Sequence, residues 1–132
     1  KEDRLVIDKW FALQVAFAQP EKAAIVAKSL TQHEDFNWKN PNRFRAVFGS
    51  LAGNMAGFHH LSGQGYELMV KWLSRLDKIN PQTTARMCGA FKTWRQFDKG
   101  RQAMLKPLLQ TMLEMEGLSR DSREMLSRIV ND

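Results

Sequence analysis

Few side chains in this chain have the chemistry for catalysis. There are three histidines, His33, His59 and His60, and a single cysteine, Cys88. A catalytic zinc needs His, Cys or carboxylate ligands converging from set spacings, such as His-Glu-x-x-His on one helix face. His33-Glu34 lacks the second histidine four residues after the first, and the adjacent His59 and His60 point in different directions on a helix. Cys88 follows the apolar Met87 and reads as a small core residue rather than a nucleophile. The glycines between Gly53 and Gly65 are not followed by the Lys-Ser or Lys-Thr of a phosphate loop. No metal, cofactor or self-sufficient catalytic set is therefore expected within the chain. What remains is guanidinium chemistry. Arg45 and Arg86 each lie within two turns of an Asn-Pro pair, at Asn40-Pro41 and Asn80-Pro81. Each arginine has two readings: solvated or tied to a helix end, or lining a concave helical surface where it grips a carboxylate or peptide carbonyl. Gln82, Arg86, Gly89 and Thr93 follow i, i+4, i+7 and i+11, which predicts one continuous polar face with a glycine beside the arginine.

The elements that would carry these groups are marked by the same Asn-Pro pairs. They stand 40 residues apart, each with a glycine eight residues beyond the proline, Gly49 and Gly89. Asn offers an N-cap acceptor, and Pro suits the first helical position, where its missing N–H costs nothing. A helix start repeated at that interval predicts stacked helix pairs, since HEAT and armadillo repeats have periods of about 40–47 residues. Asp3, Pro20, Ser62, Asp98 and Ser119 mark further starts. The expected fold is all-α, a HEAT/armadillo-like α-solenoid of antiparallel helix pairs with about seven helices. Strand alternation is absent, and 132 residues suffice for one domain.

Helical periodicity also predicts the core. Ile7, Trp10, Phe11, Gln14 and Phe17 are expected to line the inner side of the first helix. Ala23, Ala24 and Ala27 allow close approach in the second. Phe44, Val47, Phe48 and Leu51 form a clean stripe in the third, with Arg43 and Arg45 off it. Tyr66, Met69, Leu73 and Leu76 follow, then Met87, Ala90 and Phe91, then Met104, Leu105, Leu108, Met112, Leu126 and Ile129. Phe36 and Trp38 are expected to plug a groove from a polar linker.

The net charge of +6 suits an acidic partner. Lys92, Arg95, Lys99, Arg101 and Lys106 interleave with Phe91, Trp94 and Phe97, a pattern that can serve single-stranded nucleic acid. Aromatics three apart on a helix share one side, so burial of the rings with solvated lysines is the favoured reading. No apolar run reaches the roughly 20 residues that span a bilayer. One cysteine excludes an internal disulfide and fits a reducing compartment. Lys1 in place of Met, with Leu5-Val6-Ile7 close behind, suggests a piece of a longer polypeptide.

Several segments, in order along nearly the whole chain, carry a resemblance. They are Asp8-Lys9-Trp10-Phe11-Ala12-Leu13-Gln14, Asn40-Pro41-Asn42-Arg43-Phe44-Arg45 and Gly63-Gln64-Gly65-Tyr66. Asn80-Pro81-Gln82 with Arg86 continues it, then Phe97 in place of a tyrosine, Asp98-Lys99 and Arg101-Gln102. The chain resembles the C-terminal helical domain of the bacterial alanyl aminopeptidase (aminopeptidase N) family, zinc enzymes of the gluzincin class. The resemblance implies a cytoplasmic parent enzyme of four domains, with zinc and catalytic glutamate upstream and this domain closing over the catalytic one as a lid. It implies a peptide substrate in an enclosed cavity, faced by residues matching Gln82, Arg86 and Arg45. The Gly53–Gly65 loop departs from the family pattern and is a residue shorter. Two other functions compete: a stand-alone helical scaffold for a peptide or protein, and the nucleic-acid module above.

Overall fold

Both Asn-Pro pairs open helices in the computed structural model, which describes residues 2–131, with side chains from Arg4 onward. Asn40 Oδ1 accepts the Asn42 N–H at 3.0 Å and Asn80 Oδ1 accepts the Thr83 N–H at 3.1 Å, with Pro41 and Pro81 as first helical residues. Each cap satisfies an N–H that the helix itself leaves unpaired. The order is α1 (Glu2–Ala16), α2 (Ala23–Thr31), α3 (Pro41–Gly53), α4 (Met55–Phe58), α5 (Gln64–Leu76), α6 (Pro81–Met87), α7 (Lys99–Leu113) and α8 (Arg120–Asn131). Two 3-10 segments, Cys88–Phe91 and Trp94–Gln96, lie between α6 and α7. Among the described residues there is no strand, and the all-α expectation holds. The helix beyond the expected seven is α4, inside the glycine-rich loop. Its cap is Asn54, whose Oδ1 accepts the Gly57 N–H while its Nδ2 donates to the Val15 and Ala18 carbonyls.

Two compact units make up the chain, Lys1–Gly65 and Tyr66–Asp132. In the first, α1 packs on α2 and α3, and α4 sits on α2 and α3. Gly57 is required here by close approach: a Cβ on it would stand 2.4 Å from the Ala23 Cβ. Phe44, Val47, Phe48 and Leu51 are all fully buried, as the third stripe predicts. Phe36 is buried against Phe11 and Phe48, edge-on to the first. The α1 stripe needs correction. Phe11 and Val15 are the buried residues, whereas Gln14 is exposed, Trp10 is 44% exposed and Phe17 82% exposed. Pro20 is also not a helix start. It occupies the second position of a turn closed by Lys22 N–H to Gln19 O, and α2 begins only at Ala23. Arg43, placed off the stripe by its spacing, is buried. Its Nε donates to Asp8 and its Nη1 to the Asp35 carbonyl, with the guanidinium 5.4 Å from the Phe11 ring centre.

In the second unit, α8 packs on α6 and α7. Tyr66, Met69, Leu73, Leu76, Leu105, Met112, Leu126 and Ile129 are buried, again as the periodicity predicts. Asp98 caps α7, accepting the Arg101 N–H at 3.2 Å. The Arg101 side chain, whose Nη1 donates to the same carboxylate, is the first cause holding Asp98 below the usual carboxylate range, and the backbone N–H is the second. A folded pKa below the unfolded one gives stability that is complete above the unfolded value and lost as pH falls through the folded one. The cap's contribution to α7 should therefore persist down to about pH 4 and decay below it. Asn also caps but does not titrate, so Asp98→Asn should remove this part of the acid-side loss, read as far-UV circular dichroism between pH 5 and 2.5.

Candidate functional site

Capping and burial together decide where the predicted site residues of α6 point. Thr83 and Thr84 are buried, and the Thr84 hydroxyl bonds the Asn80 carbonyl at 2.9 Å. With that side of α6 fixed inward, Gln82 and Arg86 stand one turn apart on the exposed side. Among the described residues neither makes a side-chain hydrogen bond or ion pair, so both keep their hydrogen-bonding groups available. The predicted face does not continue beyond them. The α-helix ends at Met87 and tightens into 3-10 geometry, which takes Gly89 and Thr93 out of the 3.6-residue register.

Arg45 is carried by α3 of the first unit. The buried Phe44, Val47 and Phe48 turn it outward, and its Nη2 donates to the Asn42 Oδ1 at 2.8 Å. That bond uses one donor of the guanidinium fork and leaves the others open.

The basic, aromatic segment 91–106 resolves into core and charge. Phe91 and Trp94 are buried, and Trp94 Nε1 donates to the Ile129 carbonyl at 2.8 Å. Neither ring is open to stack on a base. Phe91 ends the first 3-10 segment and Trp94 opens the second, so each ring is buried from its own short segment. The charged side chains border two hollows. One of about 480 Å³ is lined by Lys92, Trp94, Arg95, Gln96, Met125, Arg128 and Ile129. The other, about 440 Å³, is lined by Trp94, Arg95, Lys99, Gln102, Ala103 and Lys106. Neither contains Gln82, Arg86 or Arg45.

Two polar features escape the spacing rules. Asp77, 2% exposed, takes three hydrogen bonds: from the Ser119 N–H at 2.7 Å, the Ser119 hydroxyl at 2.6 Å and the Ser122 hydroxyl at 2.6 Å. It ties the end of α5 to the start of α8. The visible signal was its position four residues after the core Leu73, since a carboxylate in core register needs buried donors. Arg43 gave a similar signal, four residues before Val47.

Metal chemistry finds no donor set here. Among the described residues, no group of three or more His, Cys, Asp or Glu side chains could hold an ion. Cys88 is fully buried and its thiol is pushed up to about 12, first by burial and then by the nearby Asp77. Since the thiolate is the nucleophile, Cys88 should resist maleimide at pH 8 in the native chain and react at an ordinary thiol rate in denaturant. Rapid native labelling would contradict this burial. No helix of the described residues is long and apolar enough to cross a membrane.

Comparison with known proteins gives consistent matches. The chain is 38% identical over 129 residues to Aminopeptidase N of Haemophilus influenzae, covering 97% of this chain and 15% of that protein. It is 34% identical over 128 residues to Aminopeptidase N of Escherichia coli K12, covering 96% and 15% respectively. The crystal structure of Legionella pneumophila aminopeptidase A in complex with aspartic acid superposes with a TM-score of 0.86. That match has 34% identity and covers 95% of this chain and 14% of the other. The chain thus spans about 15% of the length of the curated relatives it matches. A family model described as "Domain of unknown function (DUF3458_C) ARM repeats" matches residues 1–131. By fold and by sequence, the chain belongs to this ARM-repeat family, and it is homologous to the helical domain of bacterial aminopeptidase N.

Proposed function

We propose that the chain is the non-catalytic lid and substrate-channel domain of a zinc-dependent, cytoplasmic aminopeptidase that removes N-terminal residues from peptides. On this reading it packs on the catalytic domain of the same polypeptide, which holds the zinc and breaks the bond. Gln82, Arg86 and Arg45 contribute to the wall of the peptide cavity. The observation that carries the reading is the pair Gln82 and Arg86, exposed one turn apart and free of partners among the described residues, in a chain homologous to the helical domain of an aminopeptidase. A guanidinium offers directed donors that match a carboxylate or a peptide carbonyl, and a neighbouring amide adds one donor and one acceptor. Their role is positional: they hold the downstream part of the substrate while chemistry proceeds elsewhere.

Such binding is shared by ground state and transition state, so its loss raises KM and spares kcat. In the complete enzyme, Arg86→Ala should raise KM for tri- and tetrapeptides about tenfold, the scale of one charge-assisted hydrogen bond. An alanyl anilide, which has no downstream residues, should be unaffected. A fall in kcat with unchanged KM, or equal effects on both substrates, would overturn the assignment. The 132-residue chain alone should cleave neither substrate, with or without zinc.

A further inference from the structure

Positive charge in the second unit is unevenly balanced. Arg101 pairs with Asp98 and Arg120 with Glu124, yet Lys92, Arg95, Lys99, Lys106 and Arg128 have no ion pair among the described residues. All five are exposed, and they border the two hollows beside Trp94. The hollows share Trp94 and Arg95, so they adjoin as one ledge, and no Asp or Glu lines either. Like charges gathered without a counter-charge repel one another, and an anionic occupant would relieve that repulsion. The ledge also has a fixed floor. Trp94 Nε1 donates to the Ile129 carbonyl and Arg95 Nη2 to that of Val130, two carbonyls that the last turn of α8 leaves without helical partners. Those bonds cover the negative end of the α8 dipole, which would otherwise oppose an anion. The Arg95 guanidinium lies 5.1 Å from the Trp94 ring centre and keeps its remaining donors.

We propose that this ledge is a docking site for an acidic peptide segment of a partner protein, laid across Arg95 with an acidic side chain in each hollow. Three features select that occupant. Each hollow sets its cations beside apolar lining, Met125 and Ile129 in the first and Ala103 in the second. That combination matches a carboxylate carried on a short alkyl stem. Gln102 lines the second hollow, and its Nε2 already donates to the Arg95 and Phe97 carbonyls, which leaves its Oε1 as an acceptor. A peptide N–H can use that acceptor, whereas a phosphodiester backbone has no donor to offer it. Trp94 is buried, so the ledge presents no ring face on which a base could stack. Neither hollow contains Gln82, Arg86 or Arg45, and the inference is therefore independent of the substrate-channel reading.

The test uses the complete product of the gene and the fluorescence anisotropy of a dye-labelled, N-acetylated, glutamate-rich heptapeptide. An acetylated N-terminus has no free α-amine, so an aminopeptidase does not consume the probe. Arg128→Glu reverses a charge in the first hollow and Lys106→Glu one in the second. Each should weaken binding by about tenfold or more, because a charge-assisted bond is replaced by repulsion. Lys71→Glu changes the net charge equally from an exposed position outside both hollows. Its effect should stay within about twofold, since solvent and salt screen a distant charge. No binding, equal losses from all three reversals, or a loss confined to one hollow overturns the proposal. The probe should leave hydrolysis of an alanyl anilide unchanged. Competitive inhibition would put the peptide in the channel, which overturns this inference and leaves the lid reading standing. Tighter binding of a single-stranded oligonucleotide of the same charge overturns it in favour of nucleic acid.

Discussion

Asp77→Ala is expected to destabilise the chain by about 3–4 kcal/mol, measured as a shift of the urea midpoint followed by tryptophan fluorescence. The carboxylate accepts two hydroxyl donors and one backbone N–H while 2% exposed. Hydrogen bonds to a charged group contribute about 1.5–3 kcal/mol each, but bonds sharing one acceptor do not add fully. Alanine also strands the Ser122 hydroxyl, which is fully buried and has Asp77 as its acceptor. Ser119 keeps its capping bond from the Ser122 N–H at 3.2 Å, so α8 loses its tether to α5 but not its N-cap. Asp77→Asn should cost about 2 kcal/mol, because its amide N–H groups would face donors at one of the two former oxygen positions. Ser122→Ala removes one donor and leaves the carboxylate two, so about 1 kcal/mol is expected. An Asp77→Ala midpoint no lower than that of Ser122→Ala would show that the carboxylate does not organise this junction.

What the sequence made legible follows from how local each determinant is. The two Asn-Pro starts, the Asp98 and Ser119 caps and the stripes of α3 and α5 depend on neighbours within one or two turns, and each is found where its spacing places it. Helix α4 and the break after Met87 were not legible. The first depends on Asn54 reaching the carbonyls of Val15 and Ala18, more than thirty residues away in sequence. The second is a change of helical pitch, to which a 3.6-residue template is blind. The α1 stripe was misread because that helix has two apolar sides, and periodicity alone cannot say which faces the unit. Of the candidate site, the exposure of Gln82, Arg86 and Arg45 follows from the buried residues beside them. The extension of that face to Gly89 and Thr93 failed with the helix that was to carry it. Arg43 and Asp77 were hidden because each pairs across a long stretch of chain, and a charge in core register identifies its partner only after folding.

Arg43→Met is expected to cost about 2–3 kcal/mol, while the double variant Asp8→Leu with Arg43→Met should fall within about 1 kcal/mol of the unaltered chain. The Arg43 side chain is 8% exposed and that of Asp8 is 20% exposed, so the ion pair is shielded on the guanidinium side and only partly wetted on the other. Removing the guanidinium leaves the Asp8 carboxylate, only 20% exposed, with its counter-charge gone. Partial access to water holds that cost below the 3–5 kcal/mol typical of a fully buried pair. Methionine also forfeits the donor to the Asp35 carbonyl and the cation over the Phe11 ring. Asp35 is exposed, so water can replace the donor, and the loss at the ring is about 1 kcal/mol. When both partners become apolar, no charge is desolvated, and the new side chains extend the contact between α1 and α3. A thermodynamic cycle over the four proteins should then give a coupling of about 2 kcal/mol. Additive single effects would mean that Asp8 and Arg43 stabilise the first unit independently, and the ion pair would lose its place as the link that orients α1 on α3.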